Sequence, residues 1–332
     1  MKLNICLLAS LLMFANCSAF ADVAVSFGEG PGKADFVNNN NYPGIEEPLP
    51  IGPSSFRMVE DKIWISDGVS CKLMQFDNNS GKFISEFSIV PNGEKPYDIE
   101  EGGFPTLNYS IEDIAPVRGD YGAVVAWWIS DSLNKKIYKF STDGKKLAEI
   151  NHPEFVQPQR IEVGIGGHVF VTDMGKRKIF VFDESGKFLY ETAWEWSGFA
   201  VAGQDEKLYR LMFDNETKMH NLIATDLNGK VISGKPLKII NMLNPELWWV
   251  DEEKNECVIT YTPQTGFEGK FIIVRVSLSG EVIATGEMTP PLVMNRFIDN
   301  LDYGEVFVGK ANYNEAPDGK LEILPLKMPT SK

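Results

Sequence analysis

The chain has 332 residues, of which 46 are acidic and 32 are basic, and its formal net charge is −14. An acid excess of this size opposes nucleic acid and anionic membrane surfaces as partners, because both attract basic proteins. The length suits one large domain or two domains of ordinary size.

The N-terminus has the pattern of a secretory signal peptide. Lys2 supplies a positive start, residues 5–14 (ICLLASLLMF) are an apolar stretch too short to span a bilayer, and residues 19–21 (AFA) fit the small-x-small cleavage pattern. We expect cleavage after Ala21 and a mature protein, residues 22–332, that is periplasmic or extracellular. No later stretch approaches the roughly 18 consecutive apolar residues of a membrane-spanning helix, so no membrane span is expected.

The cysteines bear on both processing and stability. A lipoprotein signal at Cys17 fits less well, because Phe14 and Asn16 stand where such signals usually have a leucine and a small residue. After cleavage only Cys71 and Cys257 remain. Two cysteines do not make a disulfide framework, and a chain of this size needs none.

A repeated unit runs through the mature chain. Each clear copy has an alternating apolar run that ends in Asp, a turn, a second alternating run and a hairpin turn with Gly; the copies are residues 63–87, 127–150 and 169–189. Weaker copies occupy residues 222–232, 271–283 and 306–326. The turn glycines are Gly81, Gly144, Gly186, Gly229, Gly280 and Gly319, at intervals of 63, 42, 43, 51 and 39 residues. Apart from the first interval, which carries an insertion, the spacing is typical of repeats of about 40 to 50 residues.

An apolar segment precedes each copy and completes a unit of four short strands, labelled A to D in chain order. The six predicted A strands are residues 56–59, 111–117, 160–165, 198–202, 247–250 and 297–301. Helical periodicity is almost absent. Four-stranded units at this period predict an all-β protein, a β-propeller, and six units predict six blades in a single domain.

The predicted ring needs a closing strand. The last unit ends one strand short at residues 321–327 (LEILPLK), and residues 22–27 (DVAVSF) are a spare strand at the other end. A lone blade has open edges and an apolar face that it cannot bury, whereas blades packed radially share those faces. We therefore predict that residues 23–27 pair with residues 321–326 in the C-terminal blade.

The repeats resemble those of NHL-repeat propellers. The resemblance rests on FGEGPG at residues 27–32, on PQRIEV at 158–163 leading into HVFVTD, and on KIFVFDESGKF after it. It spans most of the mature chain and is close in the first three units. It implies a six-bladed fold and says much less about activity, because one fold hosts many functions.

Loop lengths point to one face of the predicted propeller. The C–D turns are short and uniform, whereas the D–A and B–C connections, which lie together on the other face, include long pieces at residues 28–53, 89–109, 151–159, 242–246 and 289–295. Long irregular loops on a rigid scaffold are where binding usually occurs. The sequence therefore predicts a secreted, non-catalytic binding protein whose loop-rich face takes a protein, peptide or glycan.

Three arginines at or just before A strands, Arg57, Arg160 and Arg296, are candidate ligand-binding residues. They occupy matching places in their units, and strand A is innermost, so their side chains could ring the mouth of the central channel and bind an anionic ligand. The alternative is that they pair with carboxylates such as Glu112 and Asp113 and tie neighbouring blades together.

Trp194 and Trp196 are further candidates, because alternation would point both rings the same way. An exposed pair could stack on a sugar or clamp a peptide. The alternative is packing between blades, which we expect for Trp127, Trp248 and one of Trp128 or Trp249.

A repeated carboxylate ends the B strand in three units, at Asp67, Asp131 and Asp173. Repetition argues against a catalytic or metal role, since one site rarely needs the same residue in several blades. We predict that each carboxylate accepts N–H bonds in the turn that follows it.

The alternative function is a metal-dependent hydrolase or lyase with its site over the channel. Glu29 begins a Glu-Gly-Pro that is similar to a metal-binding motif of the gluconolactonase family, although the tryptophan that follows closely there is missing. The peptide-amidating lyases are similar to NHL propellers too, but His152, His168 and His220 show no ligand spacing. No cofactor is evident from the sequence; Ca²⁺ or Zn²⁺ would be expected if the protein is an enzyme.

Overall fold

The computed structural model describes residues 21–37, 51–90, 94–99, 105–119, 122–195, 197–263, 269–290, 294–300, 305–312 and 319–329. Within these ranges all regular elements are β-strands, and no helix is long and apolar enough to cross a membrane. The predicted signal segment up to residue 20, with Cys17, and the candidate Trp196 lie outside the described residues.

The strands form six four-stranded antiparallel sheets, which are the blades of a ring. Strand β1 (Val23–Ser26) comes first in the chain. Blade 1 is β2 (Pro53–Val59), β3 (Lys62–Asp67), β4 (Lys72–Asp77) and β5 (Phe83–Ser88). A short hairpin follows, β6 (Tyr97–Ile99) and β7 (Pro105–Leu107). Blade 2 is β8 (Ile111–Arg118), β9 (Val124–Asp131), β10 (Lys136–Ser141) and β11 (Lys146–Ile150).

Blade 3 is β12 (Pro158–Val163), β13 (Val169–Asp173), β14 (Lys178–Phe182) and β15 (Phe188–Ala193). Blade 4 is β16 (Phe199–Ala202), β17 (Lys207–Asp214), β18 (Met219–Thr225) and β19 (Val231–Pro236). Blade 5 is β20 (Met242–Asp251), β21 (Glu256–Pro263), β22 (Phe271–Ser277) and β23 (Val282–Met288). Blade 6 is β24 (Ile298–Asn300), β25 (Val306–Ala311), β26 (Lys320–Pro325) and, as its outermost strand, β1. The predicted six-bladed propeller is confirmed.

Ring closure takes the predicted form. Strand β1 is antiparallel to β26, with Val23 opposite Ile323 and Val25 opposite Leu321. Both valines are buried, whereas the residues between and after them are exposed, as alternation along an edge strand requires. Because β1 supplies the D strand, Gly319 lies in the B–C connection of blade 6 rather than in a C–D turn. Its assignment to the series of C–D turn glycines was wrong.

Apolar side chains from facing blades fill the gaps between the sheets. Trp127 of blade 2 lies against Trp64 of blade 1, with ring centroids 4.9 Å apart. Trp128 belongs to the cluster between blades 2 and 3, and Trp248 is buried between blades 5 and 6. Interblade packing of these tryptophans is therefore confirmed. Burial of both faces of each blade explains why the B and C strands are rich in bulky apolar residues.

Both described cysteines are free thiols. Cys71 lies in blade 1 and Cys257 in blade 5, and both are buried. Burial raises the pKa of Cys257 to about 12 and raises that of Cys71 as well. Because the thiolate is the reactive form, these cysteines are packing residues rather than nucleophiles.

Candidate functional site

Strand direction sorts the connections onto two faces. The B–C turns and D–A connections lie where the A strands begin, and we call this the loop-rich face. The A–B and C–D turns lie at the other end, the short-turn face. The hairpin of β6 and β7 belongs to the D–A connection between blades 1 and 2, so the predicted insertion enlarges the loop-rich face.

Carboxylates at the ends of B strands shape the loop-rich face, as predicted. Asp67 accepts from the backbone N–H groups of Val69 at 2.9 Å and of Asp35 at 2.7 Å. Asp173 accepts from Lys176 at 2.9 Å in its turn and from Val156 at 2.7 Å in the preceding D–A connection. Asp131 does the same, with Ser110 and Asn134 as donors. Each carboxylate thus joins its own turn to the segment that leads into strand A or, for Asp67, to the N-terminal segment, which explains the repetition.

Arg57, Arg160 and Arg296 come together in the central channel, where they are 6%, 4% and 1% exposed. Their positions do not match. The residue before the Asp that ends strand B marks the same place in each blade. It faces Ser55 in blade 1 and Arg160 in blade 3, so Arg160 is equivalent to Ser55. Arg57 lies two residues further along its own strand. The β-bulges near the start of these A strands hide this offset from the sequence.

Arg296 makes the densest set of contacts. Its Nε is 3.1 and 3.2 Å from the two carboxylate oxygens of Asp113, and its Nη2 is 3.0 Å from Asp113 and 2.6 Å from Glu162. Asp113 also accepts backbone N–H bonds from Ile114 at 2.9 Å and Ile161 at 3.1 Å. Blade 6 is thereby joined across the channel to blades 2 and 3.

Arg57 joins blade 1 to the same two blades. Its Nε donates to the carbonyl of Ile114 at 2.6 Å, and its Nη2 donates to the carbonyl of Ile161 at 2.7 Å. Its Nη1 lies 3.1 Å from Glu162. Each of the three guanidinium nitrogens therefore has an acceptor in another blade.

Arg160 is less completely paired. Its Nη1 donates to Glu246 at 2.8 Å and to the carbonyl of Leu247 at 3.3 Å, which joins blade 3 to blade 5. Its Nε and Nη2 have no hydrogen-bond acceptor among the described residues. The guanidinium carbon lies 4.5 Å from the ring centroid of Trp248 and 6.0 Å from that of Phe199. Attraction between the cation and these rings offsets part of the missing hydrogen bonding.

The pKa values follow from burial and pairing. Burial alone would raise the pKa of Asp113, but the charges of Arg296 and Arg57 outweigh it and hold that pKa below its ordinary value. Asp113 and Glu162 in turn raise the pKa of Arg296, against the effect of burial. Burial and the nearby Arg296 charge lower the pKa of Arg160, and burial raises that of Glu246.

The three arginines thus pair with carboxylates of other blades, which is the structural alternative named from the sequence. Asp113 was a predicted partner. Glu112 instead accepts from Asn295 and Ser132 near the channel mouth. Glu162 and Glu246 were not predicted. The sequence feature that could have identified them is a charged residue within an otherwise apolar A strand. A ligand role for the arginines stays a prediction.

Trp194 is not an exposed binding platform. It is 7% exposed and belongs to the apolar cluster of Phe170, Val181 and Leu208 between blades 3 and 4. Of the two alternatives that the sequence left open, an exposed ring or packing between blades, packing holds for Trp194.

Residues considered for a metal are scattered. Glu29 is exposed and follows β1, the outermost strand of blade 6, so it does not face the channel. His152 packs among phenylalanine rings, and Nδ1 of His168 is 2.5 Å from a carboxylate oxygen of Glu206. The described part of the chain contains no group of three or more His, Cys, Asp or Glu side chains arranged to hold a metal ion.

The loop-rich face exposes large apolar side chains from several blades. They lie in B–C turns, in D–A connections or at the strand ends beside them, and they are Leu133, Val156, Met174, Phe213, Ile240 and Leu243. Ile240 is the most open of them at 73% exposure. A cavity of about 380 Å³ lies on the same face between blades 5 and 6, with Met288, Lys270 and Lys310 in its lining. This face therefore combines apolar contact area with charged groups.

Comparisons with known proteins agree with this architecture. A family model described as a 6-bladed beta-propeller matches residues 125–241, from strand B of blade 2 to the end of blade 4. No curated protein matches the sequence.

Among solved structures, virginiamycin B lyase from Staphylococcus aureus is 17% identical, with 90% of this chain and 89% of that chain covered and a TM-score of 0.48. Hydrazine synthase of Kuenenia stuttgartiensis is 12% identical, with 77% and 73% covered and a TM-score of 0.49. BamB from Moraxella catarrhalis is 12% identical, with 81% and 70% covered and a TM-score of 0.39. Likenesses at this level carry no argument about activity.

Proposed function

We propose that this propeller is an exported, non-catalytic binding protein, similar to NHL-repeat propellers, whose loop-rich face takes a protein or peptide ligand in the periplasm or outside the cell. The observation that carries the proposal is the set of exposed apolar side chains on the loops of blades 2 to 5. Single exposed apolar residues are ordinary, but several on one face are typical of interaction surfaces.

The scaffold beneath this face supports the proposal. In blades 1 and 3 the connections of this face are fixed by the carboxylates of Asp67 and Asp173, and the channel below is bridged by Arg57 and Arg296. Loops that are already fixed lose less conformational entropy when a partner binds. Peptide and protein ligands fit aliphatic side chains such as Leu133 and Ile240 better than a glycan does, because sugars bind by stacking on exposed aromatic rings.

A random-peptide display library selected on the mature protein tests the proposal. We expect the enriched peptides to lose about tenfold or more in affinity when Leu133, Phe213 and Ile240 are all replaced by Ser, because a few buried apolar anchors carry most of the energy of such interfaces. The readout is the dissociation constant of each peptide by surface plasmon resonance.

A control variant carries Ser at Val125, Leu147 and Val231, which are 50–53% exposed and lie away from the loop-rich face. Peptides should bind this control as they bind the parent protein. Peptides that tolerate the loop-face variant and fail on the control would contradict the proposal. A stoichiometric Ca²⁺ or Zn²⁺ ion in the purified protein would instead support the metal-dependent hydrolase or lyase.

A further inference from the structure

A second cavity opens on the short-turn face, on the opposite side of the ring from the loop-rich face. Its volume is about 400 Å³, and it lies among the ends of the A strands of blades 3, 4 and 5 and the A–B turns that follow them. This volume falls within the range of about 300–1,000 Å³ that small-ligand pockets occupy. The A strands are innermost, so the cavity is at the inner rim of the ring.

The apolar part of the lining comes from equivalent positions of three consecutive blades. Val163, Val201 and Val250 each pair with the first or second residue of the strand B beside them, so the repeat itself brings three valines to one cavity. Ile165, in the A–B turn of blade 3, adds a side chain that is 60% exposed. This side of the cavity offers an apolar wall that reaches the surface.

The charged part of the lining comes from the end of strand A and the A–B turn of blade 5. Nζ of Lys207 lies 3.0 and 3.2 Å from the carboxylate oxygens of Glu252, and the hydroxyl of Tyr209 also donates to this carboxylate. Glu252 is therefore fixed in place, and its hydrogen bond to Lys207 raises the pKa of that lysine. Asp251 is paired with Lys254 at 3.0 Å, whereas Glu253 is exposed and has no ion-pair partner among the described residues.

Gly203, in the A–B turn of blade 4, lets the A–B turn of blade 5 come close to it. The residue has a φ of +78°, a backbone conformation that glycine adopts without strain. A Cβ at this position would collide with the carboxylate of Glu252. The absence of a side chain in blade 4 therefore brings a fixed carboxylate to the rim of the cavity.

We propose that this cavity binds an organic cation, a guanidinium or ammonium group on an apolar stem such as the side chain of arginine. The stem would lie on Ile165 and the valines, and the charged head would lie against Glu253 and the outer side of Glu252. The site is separate from the loop-rich face, so the proposal does not depend on the proposed function. The net negative charge of the whole chain also favours a cationic ligand.

An NMR titration of the mature protein with N-acetyl-arginine amide, at low salt, tests the proposal. We expect saturable shifts of the methyl resonances of Ile165, Val201 and Val250. N-acetyl-citrulline amide has nearly the same shape without the charge, and we expect it to bind about two- to fivefold more weakly, in line with the loss of one partly exposed ion pair. Absence of saturable shifts, equal binding of both probes, or shifts that map elsewhere would overturn the proposal.

Variants at the rim separate charge from shape. Glu253→Lys places a like charge beside the expected position of the ligand's head, and we expect it to weaken binding of the arginine probe by about tenfold or more. Glu60→Lys is the matched control, because it makes the same change of charge at an exposed carboxylate in the A–B turn of blade 1 that does not line the cavity. Both variants should keep the parent's circular dichroism spectrum. Unchanged affinity in folded Glu253→Lys, or an equal loss in Glu60→Lys, would overturn the assignment.

Discussion

Replacement of Arg296 by methionine is expected to lower the free energy of unfolding by about 3–5 kcal/mol, the cost of removing the main partner of a buried carboxylate. Asp113 is 0% exposed, and Arg296 supplies its two-pronged contact. Methionine fills a similar volume, so the loss comes from the charge rather than from a cavity. Urea denaturation, monitored by tryptophan fluorescence, measures the effect.

Two comparisons make this prediction specific. Arg118→Met removes an arginine from the exposed end of β8, and we expect it to change the free energy of unfolding by less than about 0.5 kcal/mol. In a double-mutant cycle, Asp113→Asn combined with Arg296→Met should be less destabilising than the sum of the single changes, by roughly 1–3 kcal/mol. Additive effects would show that the two side chains do not act as a pair.

The pH dependence of the same variant has a definite sign. The folded pKa of Asp113 lies below its ordinary value of 3.8, so in the parent protein its pairing contributes stability above that value and loses it as the pH falls through the folded pKa. Without Arg296, burial should raise this pKa, and the buried carboxyl will take up a proton on folding. The difference in stability between parent and Arg296→Met should therefore shrink as the pH is lowered from neutral.

The fold could be predicted from the sequence because its determinants are local and repeated. Alternating apolar runs, a terminal Asp such as Asp173 and a turn glycine such as Gly186 recur in every clear copy, and strand and turn chemistry fix each blade within some 40 residues. The closing pair of β1 and β26 was predictable as well, because the last unit lacked one strand and the first segment supplied it.

The channel network could be predicted only in part, because it joins residues far apart in the chain. Asp113 and Arg296 are 183 positions apart, and no local pattern pairs Arg160 with Glu246. Strand register also limited what could be predicted about the arginines. A bulge shifts side chains between the faces of a strand, so Arg57 and Arg160 looked equivalent in the sequence and are not.

Whether Trp194 is available to a ligand depends on its burial. Alternation predicts which way the ring of Trp194 points relative to its neighbours, but it cannot predict whether blade 4 covers that ring. The structure places Leu208 and Phe199 of blade 4 in the same apolar cluster. Sequence patterns describe one strand at a time, whereas the exposure of a side chain depends on how two blades pack.

The cavity on the short-turn face escaped prediction for a related reason. The turns of that face are short, so their lengths carry no signal, and the acidic residues Asp251 to Glu253 do not indicate a cavity by themselves. The cavity exists because three equivalent valines and the glycine at position 203 meet at one place. Repeat symmetry makes the scaffold predictable, and departures from it in single blades make sites that local patterns do not reveal.

Removal of residues 22–31 from the mature chain should lower the melting temperature sharply, on the order of 10 °C. This deletion takes away β1 and with it three buried side chains, Val23, Val25 and Phe27. Burial of a valine or phenylalanine contributes about 1.5–3 kcal/mol, so the free energy of unfolding should fall by roughly 5 kcal/mol or more. Differential scanning calorimetry of both proteins measures the shift.

The loss of stability should be reversed when the missing strand is added as a separate peptide, because the deletion leaves the edge of β26 open to an added strand. A synthetic peptide of residues 22–31 should raise the melting temperature of the truncated protein in proportion to the logarithm of its concentration once the site is nearly saturated. The same peptide with Val25 replaced by Asp should not, because Val25 faces the core opposite Leu321. If the truncated protein melts like the parent, the ring does not depend on this strand for closure, and blade 6 must be stable with three.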